Sequence, residues 1–167
     1  MYSKFGQFID GKWQASSSKE TYEVINPATE EVIGNASKAS SEDINKALKS
    51  AEKGFEVWKK FTPWERSAII RKIADLIRKK NNELAKWMTL ETGKPLAEGL
   101  AEVSGSADIF EWNAEETKRI YGQTVQSRLK DTRVIINYEP VGVVAALSPW
   151  NFPLILAARK ISTALAA

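Results

Sequence analysis

The feature that most constrains the fold is a five-residue run, Val143-Val144-Ala145-Ala146-Leu147, with no polar residue in it. Pro140-Val141-Gly142 precedes it and Ser148-Pro149-Trp150-Asn151-Phe152-Pro153 follows. Continuously apolar and bounded by turn residues, it reads as a parallel strand covered on both faces. Pro153 can open the next helix, because a first-turn residue needs no N–H. That helix, Leu154 to Ala167, is apolar nearly all round except at Arg159, Lys160, Ser162 and Thr163. The two segments make a βα unit and place the chain in the α/β class. A buried parallel strand needs neighbours, yet no further strand pattern follows, and Ala164-Leu165-Ala166-Ala167 offers no capping glycine or polar stop. The expectation is a chain truncated within a βα unit.

Upstream, Asp10-Gly11 between Gln7-Phe8-Ile9 and Lys12-Trp13 predicts a hairpin with a type I′ turn, since Asp tolerates positive φ and Gly adopts it freely. Tyr22 to Ile25 and Val32-Ile33 flank Asn26-Pro27-Ala28-Thr29, a second strand–turn–strand signal, with Ser16-Ser17-Ser18 as a loop between the hairpins. Four helices follow. The first is capped around Ser40-Ser41-Glu42-Asp43 and carries Ile44, Ala47, Leu48, Ala51, Phe55 and Trp58 at helical spacing. The second begins Thr62-Pro63-Trp64-Glu65, a capping box, and its stripe is Ile69, Ile70, Ile73, Leu76 and Ile77. The third carries Leu84, Ala85, Trp87 and Met88 to a left-handed cap at Gly93. The fourth runs from about Pro95 to Arg119 through Leu100, Val103, Ala107, Phe110 and Ala114. After Tyr121-Gly122 the β-branched stretch Arg133 to Glu139 reads as a strand.

The chain has no cysteine and no histidine. Disulfides, thiolate metal sites, thiol nucleophiles and the commonest general base are therefore all missing from these residues. Either the chain is not an enzyme, or part of the enzyme lies elsewhere. No metal site is expected. The 24 basic and 21 acidic residues are interleaved. The densest basic stretch, Arg71-Lys72 to Arg78-Lys79-Lys80, suits a solvated face near a helix C-terminus, and no nucleic-acid partner is expected. Met1 to Gly6 holds no apolar leader segment, and no apolar run approaches the ~18 residues of a membrane span. A cytoplasmic setting without membrane attachment is the expectation.

Four segments together resemble the aldehyde dehydrogenase superfamily: Asn26-Pro27-Ala28-Thr29; Glu91-Thr92-Gly93-Lys94-Pro95; Glu139-Pro140-Val141-Gly142-Val143-Val144; and Ser148-Pro149-Trp150-Asn151-Phe152-Pro153-Leu154. The last two, followed by Ala158-Arg159-Lys160 and Ala164 to Ala167, are the specific ones. The resemblance covers essentially the whole chain. It implies the N-terminal part of a longer α/β parent that also has a catalytic domain with a cysteine nucleophile. Residues 1–122 would be hairpins and helices of the dinucleotide-binding domain, 123–140 a strand of an oligomerisation arm, and 141–167 the first, incomplete βα unit of a Rossmann-like domain. It further implies NAD or NADP as cofactor, an aldehyde as substrate and a homo-oligomeric parent, dimer or tetramer. The catalytic Cys and general-base Glu would lie beyond Ala167.

The resemblance gives roles to five residues. In the family mechanism a thiolate attacks the aldehyde, and an Asn matching Asn151 donates an N–H to the oxyanion of the thiohemiacetal. Read without the family, Asn151 is a loop residue bonding its own backbone. Ser148, Pro149, Trp150 and Asn151 would meet the ribose and nicotinamide end of the cofactor, at the carboxyl end of the strand where open α/β sheets place ligands. Trp150 has packing as its alternative. Arg159 matches the residue that grips the distal carboxylate in the succinate-semialdehyde dehydrogenase branch, a task suited to a guanidinium; a structural ion pair is its alternative. Phe110 to Gly122 also resembles that branch, but Asn113 stands where an aromatic residue is usual. The function implied is oxidation of an aldehyde, such as a carboxylated semialdehyde, to its acid. A non-catalytic assembly or interaction fragment derived from the same fold is the alternative.

Overall fold

The computed structural model describes residues 6–167. The absence of a leader segment, read from Met1 to Gly6, concerns residues that apart from Gly6 lie outside the described ones. The chain opens with two antiparallel hairpins. Strands β1 (Gln7–Ile9) and β2 (Lys12–Gln14) pair with Ile9 opposite Lys12. Asp10 and Gly11 turn between them at φ 55° and 72°, as the type I′ reading requires. Strands β3 (Thr21–Ile25) and β4 (Val32–Ser37) form the second hairpin. In its turn the Asn26 side chain accepts from the Ala28 N–H at 3.0 Å.

The helices are α1 (Ser41–Trp58), α2 (Pro63–Lys79), α3 (Asn81–Thr92), α4 (Leu96–Glu116) and α5 (Ile155–Ala166), with a 3-10 turn, Thr117–Arg119, after α4. Both capping boxes form. Ser40 and Asp43 exchange bonds at the start of α1, as do Thr62 and Glu65 at the start of α2. Gly93 ends α3 at φ 74°, and Pro27 of the second hairpin turn packs against it.

The core centres on α4, which packs against α2, α3 and α5. Val103, Ala107, Phe110 and Ala114 are buried there, as the helical spacing predicts. On α2 the buried line is Ile70 and Ala74, flanked by half-buried Ile73 and Ile77. Ile69 and Leu76, both assigned to that stripe from the sequence, are largely exposed; the face toward α4 is narrower than the apolar arc. On α5 the small residues Ala158, Ser162 and Ala166 form the buried line, four apart, which lets α5 approach α4 closely. Ile44 and Leu48 of α1 stay about half exposed. The basic stretch on α2 is not simply a solvated face. Arg71 pairs with Glu111 and Glu115, and Arg78 with Asp108 and Glu111, joining α2 to α4.

Strands β5 (Gln123–Gln126) and β6 (Arg133–Ile136) form a third hairpin, exposed along both strands. β6 coincides with the predicted strand, whereas β5 has only one apolar residue and no strand pattern to announce it. One expectation needs correction. Residues 143–147 form no strand, and Val143, Val144 and Leu147 are exposed. A strand exists only through its ladder, and among the described residues none pairs with this run. No described helix is long and apolar enough to cross a membrane.

Candidate functional site

Ser148, Pro149, Trp150 and Asn151 lie on the loop that enters α5, and all four are exposed, Trp150 by 80%. The packing alternative for Trp150 is thus not realised within the described residues. The loop is nevertheless held firmly at the Asn151 end. Lys94 Nζ donates to the Asn151 carbonyl at 3.2 Å and lies 4.5 Å from the centre of the Phe152 ring. Asn151 is therefore held by its backbone, which leaves the side-chain amide to other partners.

Lys94 is itself held by Glu102 of α4, whose Oε2 accepts from the ammonium. The other carboxylate oxygen of Glu102 accepts from the backbone N–H of Leu154 at 2.9 Å and of Ile155 at 3.2 Å. No side chain of its own loop caps α5. Its orphan first-turn donors take a carboxylate from a different helix, whose negative charge also suits the positive end of the helix dipole. The sequence places this helix from Leu154; the bond to Glu102 holds Leu154 as the capping residue, and the helix proper begins at Ile155.

Gly93 and Lys94 together thus link three of the four motif segments. Gly93, in contact with Pro27, turns the chain at the end of α3, and the next residue reaches Asn151 and Phe152. Neither Lys94 nor Glu102 stands out as a site residue in the sequence. Glu102 sits next to core Val103 on a helix with several acidic residues, and only its burial, at 5% exposure, sets it apart.

Arg159 lies in the second turn of α5 and is exposed, one residue past buried Ala158. Among the described residues no carboxylate pairs with it, so the structural ion pair is not seen here. Asn113 spends its amide donors inside the fold, on the Ile109 carbonyl at 3.1 Å and on Ser162 Oγ at 2.9 Å. It joins α4 to α5, which accounts for a polar residue at a position where the resemblance leads one to expect an aromatic one. An open apolar groove of about 460 Å³ between α1, residues 140–146 and α5 is lined by Trp58, Val143 and Leu165 and contains none of these site residues. Among the described residues, no cluster of acidic side chains could hold a metal ion.

With this geometry established, the comparisons with known proteins fall into line. A family model described as "Aldehyde dehydrogenase family" matches residues 13–167. Glutarate-semialdehyde dehydrogenase of Pseudomonas putida is 42% identical over 160 residues, which is 96% of this chain and 33% of that protein. The mitochondrial succinate-semialdehyde dehydrogenase of Oryza sativa subsp. japonica is 47% identical over 158 residues, 95% of this chain and 30% of that protein. Among solved structures, an "NADP dependent enzyme" of E. coli superposes with a TM-score of 0.94 at 39% identity, covering 100% of this chain and 35% of that one. The chain thus spans about a third of the length of the curated relatives it matches.

Proposed function

The chain belongs to the aldehyde dehydrogenase family, and from that premise we propose that it serves an enzyme oxidising a carboxylated semialdehyde to its acid with NAD or NADP. The observation that carries this reading is the Lys94-held loop, which presents Asn151 with its backbone fixed and its side chain unclaimed by that contact. In this reading the Asn151 amide donates to the oxygen that becomes negative as a thiolate from elsewhere in the enzyme adds to the aldehyde. A donor fixed in advance spends nothing on reorganisation when the charge appears, and one such bond is worth ~10²–10³ in rate.

The residues present fit the nicotinamide end of a dinucleotide better than its phosphates. In doubly wound folds the diphosphate commonly sits on the N-terminus of the helix after the first strand. Here Glu102 already occupies the Leu154 and Ile155 N–H groups with a negative charge, which would repel phosphate. Exposed Ser148, Pro149 and Trp150 offer instead a hydroxyl and flat apolar surface, suited to a ribose and a ring. When bound, the cofactor would accept the hydride that leaves the aldehyde carbon. Arg159 would bind the distal carboxylate of the substrate; the semialdehyde dehydrogenase names of the two relatives favour such a substrate.

Within this proposal, residues 1–122 and 141–167 belong to the dinucleotide-binding domain. The exposed β5–β6 hairpin, within 123–140, is an arm between subunits of a homo-oligomer. A cytoplasmic setting is part of the same proposal. The test is a spectrophotometric assay of the longer enzyme with succinate and glutarate semialdehydes and either cofactor, next to the 167-residue chain alone. Reduced cofactor should appear with the enzyme and not with the chain, which has no cysteine. No turnover by the enzyme with any aldehyde would overturn the reading in favour of a non-catalytic assembly fragment.

A further inference from the structure

We propose that Lys94 and Glu102 act as a positioning pair for Asn151, fixing the loop that presents it. This rests on the oxyanion reading of Asn151. Both side chains are almost fully buried, at 9% exposure for Lys94 and 2% for Glu102, and each touches the loop independently of the other. Lys94 grips the carbonyl of Asn151 and the face of Phe152. Glu102 grips the amides of Leu154 and Ile155. One ion pair therefore clamps the backbone on both sides of Pro153, over the five residues from Asn151 to Ile155.

A cap for α5 would need only an acceptor. Serine, asparagine or aspartate from the loop itself commonly supplies one, as Ser40 does for α1. A buried cation that reaches past the cap to the Asn151 carbonyl is more than packing calls for, because burying a charge is costly unless it is paired and bonded. What it adds is position. A catalytic donor has to be held to within about 0.5 Å, and loops meet that demand only when supporting groups lock them. Lys94 can do so because Gly93, at φ 74°, ends α3 immediately before it, and the turn places the lysine between α4 and the loop. Two segments distant in sequence are thereby joined at the residue that matters, Lys94 and Asn151 standing 57 positions apart.

The test compares K94M, E102Q, N151A and K94M/N151A in the aldehyde-oxidising enzyme that carries this segment. K94M should lower kcat by about 10- to 100-fold, as misplacement of a reacting group does, while the KM for cofactor stays within about twofold. In N151A the same lysine change should cost less than about twofold more, since a clamp is idle when the residue it positions is gone. Amide hydrogen exchange over residues 150–155 should quicken by about tenfold or more in K94M, with the α2 and α4 amides unchanged. If K94M does not fold, E102Q carries the same comparisons, because its amide oxygen can still accept from Leu154 and Ile155 while the ion pair is lost. Additive losses in the double variant, or unchanged exchange over 150–155, would overturn the positioning role. Normal turnover in N151A would instead sink the oxyanion reading itself, a separate outcome from either.

Discussion

The indole N–H of Trp58 donates to the carbonyl of Leu165 at 3.0 Å, joining the end of α1 to the last turn of α5 across 107 positions. Trp58 also packs against the core that α2, α4 and α5 share. Replacing it with Phe keeps most of the apolar contact and removes the donor. The expected loss is ~1 kcal/mol, the usual net value of one hydrogen bond, read as a lower denaturant midpoint at unchanged slope. An unchanged midpoint would mean that the carbonyl is equally well served by water.

Asn151→Ala should lower the turnover of the enzyme by ~10²–10³ while cofactor affinity is retained. Single-turnover kinetics with a cofactor titration separate the two. Near-normal turnover would return Asn151 to the status of a loop residue.

Arg159→Ala should raise KM for a semialdehyde bearing a carboxylate far more than for a neutral aldehyde of similar length. Because no carboxylate among the described residues pairs with Arg159, stability should change by less than ~0.5 kcal/mol, as for ordinary surface positions. Equal losses for the two substrates, or a marked fall in melting temperature, would make Arg159 structural.

Asp43 ties the first hairpin and its following loop to α1. Its buried carboxylate accepts from the Ser40 N–H at 3.0 Å, Ser16 Oγ at 2.7 Å and the Ser17 N–H at 3.1 Å. The Ser40 N–H foremost, and then the Ser16 hydroxyl, hold this carboxyl well below the usual carboxylate range. A depressed folded value stabilises the fold at every pH above the unfolded value, near 4, and that stabilisation is lost as pH falls from there through the folded value. Asp43→Asn should therefore melt earlier than the parent protein at pH 7, and the gap should shrink as pH drops below about 4. A gap that stays constant between pH 7 and pH 3 would show that the charge on Asp43 is immaterial.

Much of this architecture is legible in the sequence because the interactions that decide it are short in range. Ser40 with Asp43, and Thr62 with Glu65, are bonds between residues three apart. The turns at Asp10-Gly11 and Gly93 follow from which residues tolerate positive φ. The heptad-like spacing of Val103, Ala107, Phe110 and Ala114 identifies the buried face of α4 without reference to any other element. The loop around Asn151 is marked as a candidate site only by the family resemblance of Ser148 to Leu154; its residues alone read as an ordinary loop.

The sequence alone thus determined the helices, the first two hairpins and the caps at Ser40, Thr62 and Gly93, since each depends on neighbours within a turn or two of chain. The tertiary structure alone decided what grips the candidate site. Glu102 could pass for one more solvated acid on α4 until α5 is docked and two orphan N–H groups need an acceptor 52 and 53 positions away. Lys94 could pass for a surface lysine until the loop at Asn151 folds over it. The same physics separates residues 143–147 from their expected strand. Apolar content is local, but a strand is made by its partners, and a ladder cannot be read from one side.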